Sequence, residues 1–257
     1  MFTNLYIDVT HINIIKEGDT KMITGKELVE KIQAENQPLF EASKMNVRAF
    51  FNDPARTKEE YLLHFQGRLA NEYMNMVGVG DAIANLPTDT PVDEMVLLTK
   101  QANDEAVHFR LVKEVLEHIS GEDVDTQEYL DREFSRKEDD KGAATMATYE
   151  TAEDPVALAV YQMVAEGRAS TSWGEMAKIG AVDEFVASKY ARISKDEKFH
   201  SNIGALRLER LQDEDPSVAE KALAMVDTMR KELYNIIVGN TVDSPGAREL
   251  AAEAYGW

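Results

Sequence analysis

Two short stretches of the chain carry one pattern. Asp104-Glu105-Ala106-Val107-His108 and Asp196-Glu197-Lys198-Phe199-His200 both read D-E-x-x-H. On a helix, residues three apart share a face about one turn apart, so each stretch offers a carboxylate and an imidazole to one point. Each also has an acidic partner upstream. Thr88 and Asp89 lie midway between Glu72 and Glu105, and Ala181 and Val182 lie midway between Glu166 and Glu197. If both midpoints are turns of antiparallel helical hairpins, Glu72 stands level with Glu105, and Glu166 with Glu197. Packing one hairpin on the other gathers four carboxylates and two imidazoles. Hard oxygen ligands with two imidazoles suit iron or manganese. The expected metal ligands are therefore Glu72, Glu105, His108, Glu166, Glu197 and His200. A lone E-x-x-H occurs by chance on exposed helices. Four glutamates set into apolar stripes are a different matter, because unpaired buried carboxylates are very costly.

The elements that must position these residues read as helices. Thr57 and Glu60 form a capping-box pattern that opens a helix to about Asn85. Its stripe, Leu62, Phe65, Leu69, Met76, Val79 and Ile83, steps by three and four residues, with Glu72 in the vacant place. Thr90 as cap and Pro91 as first residue predict a second helix, running to about Ser120 and stopped by Gly121. Asp154-Pro155 caps a third, reaching about Ile179 with Ala159, Met163, Glu166, Ser170 and Trp173 on its inner face. A fourth runs from Asp183 to about Gln212 with the stripe Val186, Tyr190, Ile193, Glu197, His200, Gly204 and Leu208. Asp215-Pro216 opens a fifth, to about Val238. Shorter helices are expected over Thr24–Ala34, Asn36–Phe51 and Asp125–Arg136. Lys137–Gly142 reads as a charged loop; Ala143–Glu153 and the tail after residue 239 give little signal. The expected fold is all-α: one domain over 1–257, with a core bundle over about 57–213 and flanking segments 1–52 and 214–257.

Composition narrows the partners. With 28 basic against 47 acidic residues the net charge is −19. That argues against nucleic acid and against an anionic membrane surface, both of which need basic clusters. There is no cysteine, which removes disulfides, zinc thiolates, iron–sulfur clusters and cysteine nucleophiles. The first thirteen residues lack a basic region followed by an apolar run, and no apolar run is long enough to span a bilayer. A cytoplasmic protein is the expectation. His11, His64 and His118 read as surface or boundary residues. Tyr73, Tyr161, Tyr190 and Trp173 read as core or boundary aromatics that could also relay electrons. The methionines read as core filler.

The six-ligand set resembles that of the ferritin-like di-iron carboxylate superfamily, over about residues 57 to 213. That resemblance implies two iron ions, with manganese or a mixed pair as alternatives. It also implies bridging roles for Glu105 and Glu197 and terminal roles for Glu72 and Glu166. Asp104 and Asp196 become candidates to accept hydrogen bonds from the ligand imidazoles. The stretches Glu166-Gly-Arg-Ala-Ser-Thr and Lys195-Asp-Glu-Lys-Phe-His200 resemble the third and fourth site helices of soluble acyl-carrier-protein desaturases. Leu116 to Asp125 and Asp227-Thr-Met-Arg-Lys231 resemble other stretches of those enzymes. The chain departs from them at Val107 and Phe199, where desaturases carry Arg, and at Ala169, where they carry Thr. Ser170 sits where bacterial multicomponent monooxygenases place a Thr near the oxygen site, which makes it the candidate catalytic hydroxyl. The phenylacetyl-CoA epoxidase type and the aldehyde-deformylating oxygenases share the ligand layout.

What the resemblance implies is a dioxygen-activating oxygenase or oxidase, desaturase- or hydroxylase-like, acting on a small apolar or acyl substrate. That substrate is free or linked to a carrier protein or CoA. Electrons would come from a separate ferredoxin or reductase, and a homodimer is the expected assembly. The substrate pocket is expected between the first and third site helices, lined by Leu69, Met76, Met163, Ser170 and Trp173. The competing expectations are ferritin-like iron storage with ferroxidase activity, a manganese catalase, and a metal-bound scaffold without turnover.

Overall fold

A computed structural model describes residues 23–137 and 154–239. The expectations for His11, for most of the charged loop, for Ala143–Glu153 and for the tail lie outside these residues. Among the described residues the chain is helical throughout, with no strand. The elements are α1 (Gly25–Phe51), α2 (Lys58–Ala84), α3 (Val92–Ser120), α4 (Thr126–Lys137) and α5 (Pro155–Tyr161). A π-helical turn (Gln162–Glu166) follows, then α6 (Gly167–Ile179), α7 (Glu184–Glu214) and α8 (Val218–Gly239). No helix among them is long and apolar enough to cross a membrane.

Local chemistry explains most boundaries. The Thr57 hydroxyl accepts from the Glu60 N–H while the Glu60 carboxylate accepts from the Thr57 N–H, so both orphan donors at the start of α2 are met. Asp154 and Asp183 cap α5 and α7 through Val156 and Val186. Gly121 ends α3 in the left-handed region at φ 79°. Two boundaries differ from expectation. Pro91 rather than Thr90 is the cap of α3, with no side-chain bond to its first turn. The two expected N-terminal helices are one, α1, with Pro38 inside it and the buried Asn36 amide donating to the Ile32 carbonyl.

The helices form a bundle in which α2 pairs with α3, α6 with α7, α3 with α7, and α1 with α6 and α7. Leu28, Ile32 and Leu39 of α1 are at most 1% exposed, so α1 belongs to the core and not to a flank. Burying one such side chain contributes about 1.5–3 kcal/mol. The apolar interior falls into separate clusters, and polar residues occupy the gap between them. On α7, Val186, Tyr190 and Ile193 belong to one cluster and Leu208 to another, with Glu197 and His200 between. On α3, Val112 and Leu116 lie on one side and Leu98 on the other, with Glu105 and His108 between.

Candidate metal centre

All six expected ligands meet in that gap, each no more than 2% exposed. They form two overlapping groups. Glu72, Glu105, His108 and Glu197 bring one potential ligand atom each to within 4.8 Å of one another, and so do Glu105, Glu166, Glu197 and His200. Glu105 and Glu197 belong to both. His108 Nδ1 is 3.6 Å from Glu72, 3.5 Å from Glu105 and 3.6 Å from Glu197. His200 Nδ1 is 3.0 Å from Glu105 and 3.1 Å from Glu197. Two donors on one ion at about 2.1 Å stand roughly 3.0–3.4 Å apart, so the spacing fits ligation. Satisfaction of polar groups points the same way. Glu72 Oε2, both Glu105 oxygens and His108 Nδ1 are buried without a well-formed hydrogen bond, which costs about 1–3 kcal/mol per group unless an ion meets them.

The two aspartates do more than expected, because they act across the motifs. His108 Nε2 faces Asp196 at 3.4 Å, and His200 Nε2 faces Asp104 at 3.3 Å. The Asp of each D-E-x-x-H thus braces the His of the other, which leaves both Nδ1 atoms turned to the glutamates. A cation four residues earlier sits on each Asp: Lys100 bonds Asp104, and Arg192 lies 3.8 Å from Asp196.

Four carboxylates in a dry space cannot all ionise freely. Burial, reinforced by Glu197 and Glu105, pushes Glu166 well up. Burial raises Glu72 to about 7 against the pull of His108. Glu105 goes the other way: despite burial, His108 and His200 hold it down at about 2. Both imidazoles are raised, because their carboxylate partners outweigh the burial that would discharge them. Without metal, the cluster is a set of protons shared among buried acids and bases.

Several residues of the site were missed by the sequence reading. Gln101, on the Glu105 face one turn earlier, donates to Glu166 at 3.2 Å. Gln162 donates to Gln101 at 2.6 Å and accepts from Arg207, which bonds Glu94 at 2.7 Å. This buried chain leads from a ligand to Arg210, a partly exposed partner of Glu94. The i, i+4 rule signals Gln101, Lys100 and Arg192; nothing in the sequence signals the contact between Gln162 and Arg207.

A cavity of about 50 Å³ lies where the pocket was expected, between α2 and the rod made by α5, the π turn and α6. Its lining differs. Trp173 is there, but Leu69 and Met163 are buried in the apolar clusters, and neither Met76 nor Ser170 takes part. Arg68, Asn71, Asn75, Tyr161, Arg168 and Ala169 do, beside Glu72, Glu166 and Glu197. Burial lowers Arg168 to about 10, still charged near neutrality. In a π turn the residue stacked beneath position i is i−5, so Tyr161 and not Met163 underlies Glu166. Beyond Glu166, positions i+3 and i+4 diverge: Ala169 looks toward the α2 side, while Ser170 turns to α7. The Ser170 hydroxyl donates to the Ser194 carbonyl at 3.0 Å, and Ser194 returns the bond to Ser170 at 2.8 Å. Ser170 therefore ties two helices together. Of the remaining candidates, Tyr190 is fully buried against Trp173 and Phe65. His64 stacks on Phe50, with burial lowering it to about 3, and His118 bonds Asp183 near the surface.

No family model, no curated protein and no solved structure matches the chain.

Proposed function

We propose that this chain is a dinuclear iron oxidoreductase of the ferritin-like kind, which activates dioxygen and oxidises an organic substrate. The observation that carries the reading is the pair of overlapping ligand groups sharing Glu105 and Glu197, buried and short of hydrogen bonds. In this reading the six side chains would hold two ions, with Glu72 and His108 in one group, Glu166 and His200 in the other, Glu105 and Glu197 common to both, and both imidazoles offering Nδ1. Iron held there would supply the electrons that dioxygen accepts and the oxidising equivalents spent on the substrate. The chain's own part is to orient and exclude. Asp196 and Asp104 fix the two imidazole orientations across the bundle. Gln101 holds one Glu166 oxygen. The apolar clusters on either side keep bulk water out. With no cysteine in the chain and no flavin motif, the electrons come from a separate donor.

The polar, small cavity supports a second reading, in which the substrate is itself small and polar, as in a manganese catalase or a ferroxidase. Metal analysis followed by stopped-flow spectroscopy of the ferrous protein with dioxygen separates them. The oxygenase reading expects about two iron ions per chain, with rapid ferrous oxidation that changes when a substrate is present. A manganese-loaded protein that evolves dioxygen from peroxide supports catalase, and a large closed cage supports storage. A chain that takes up no metal refutes all three.

A further inference from the structure

The cavity beside the glutamates carries two guanidinium groups that the centre itself does not need. Arg48, Arg56, Arg110, Arg132, Arg192, Arg207 and Arg210 all have a carboxylate within ion-pair distance. Arg68 and Arg168, in a chain with 47 acidic residues, have none among the described residues. Arg68 lies over the Trp173 ring at 4.8 Å, and Arg168 Nε is buried without a hydrogen bond. Both line the cavity, along with three of the glutamates. In the metal-free protein those glutamates offer the arginines some compensation. With two divalent ions bound, the four carboxylates would be matched by the metals, and the cavity wall would offer the two guanidiniums no further carboxylate. Two like charges, both partly buried and short of counter-charge, are costly to hold side by side, and an incoming anion relieves that cost.

We propose that the cavity takes the carboxylate group of a small organic acid, held by Arg68 and Arg168 over the Glu72–Glu166–Glu197 side of the centre. This rests on the metal reading above and names the class of its substrate. The guanidinium fork matches a planar carboxylate in a way a point charge does not. The size agrees: about 50 Å³ admits a group of a few heavy atoms, whereas pockets for whole drug-sized ligands are roughly 300–1,000 Å³. A free acid thus fits better than an acyl thioester, whose carbonyl end carries no charge.

The test is calorimetric titration of the Mn(II)-loaded protein with butyrate, its neutral isostere butyramide, and inorganic phosphate. Arg68→Gln and Arg168→Gln are run alongside, each checked for metal content and melting temperature. Butyrate should bind at least about 10-fold tighter than butyramide. Each variant should weaken butyrate by about 10- to 100-fold, as expected for loss of a charge-assisted hydrogen-bonded pair, with metal content unchanged. Butyrate affinity that ignores both substitutions overturns the proposal, because it places the acid directly on the metal. Phosphate binding tighter than butyrate with the same arginine dependence overturns the carboxylate in favour of a free inorganic oxyanion. If the wild-type protein takes up no metal, the metal reading fails. Arginine-dependent butyrate binding to that metal-free protein would still support the cavity, and no binding would overturn both. Should Arg168→Gln fail to fold, the half-buried Arg68 decides alone.

Discussion

Replacing Glu72 by Gln in the metal-free protein should stabilise it, and only at higher pH. Burial raises this carboxyl to about 7 from an ordinary 4.5, with repulsion from Glu197 and Glu105 added and His108 opposing. Ionisation is therefore easier in the unfolded chain than in the folded one. Below about pH 4.5 both states keep the proton and the group contributes nothing. As pH rises through about 7 the folded state loses stability. Each pKa unit is about 1.4 kcal/mol, so the loss saturates on the order of 3 kcal/mol above that window. Gln preserves the shape, cannot ionise, and removes the loss. Variant and wild type should match near pH 4, and the variant should gain up to about 3 kcal/mol near pH 8. In a chain of this size that is roughly 6–12 °C in melting temperature. Metal-stripped samples melted at several pH values supply the reading. A variant less stable than wild type near pH 8, or a difference that does not move with pH, refutes the claim that this carboxylate is held against its own ionisation.

Metal uptake near pH 7 should release roughly three to four protons per centre, from His108, His200, Glu166 and part of Glu72. Calorimetry in buffers of different ionisation enthalpy counts them, and fewer than about two would contradict the protonated cluster. Arg207→Met strips the buried Glu94 of one of its two arginine partners and leaves it Arg210, so it should cost about 1.5–3 kcal/mol in urea unfolding. Lys231→Met, at an exposed pair with Asp227, should cost less than about 1 kcal/mol; equal losses would sink the distinction. Gly204→Ala would put a Cβ 2.6 Å from the Ala159 carbonyl oxygen and 2.6 Å from Gln162 Cβ. It should destabilise by about 1–3 kcal/mol or more and weaken metal binding by shifting the π turn; a metal affinity left intact would show that turn to be uncoupled from the centre.

The sequence carried the helices and the six convergent residues because both rest on local rules. Capping boxes, stop glycines and a stripe interrupted by Glu72, Glu105, Glu166 and Glu197 are all short-range patterns. The level match of each hairpin needs only the turn position. The cross-bracing by Asp104 and Asp196 was legible as a role, but not as an exchange between motifs, since which aspartate reaches which imidazole depends on how α3 crosses α7. The cavity lies between the expected helices, but of the expected lining only Trp173 takes part. An unbroken 3.6-residue period was assumed through Gln162–Glu166, and the chain does not keep it. The pairing of Gln162 with Arg207 joins residues whose spacing means nothing until α7 lies against the π turn at Gly204.

That π turn also governs how this chain can be matched to any other. It spends one residue more than an α turn to bring the same face round, which amounts to a one-residue insertion hidden inside a continuous helix. A relative that builds this helix without the extra residue would present its equivalent of Tyr161 one position nearer its equivalent of Glu166. A gapless pairing anchored on Glu166 and Trp173 would then set every upstream residue of α5 against the wrong neighbour, about 100° round the helix. The correct correspondence needs a gap within Gln162–Glu166, a place where alignments seldom allow one. Numbering carried across that point would hand the cavity-lining role of Tyr161 to a residue that faces elsewhere.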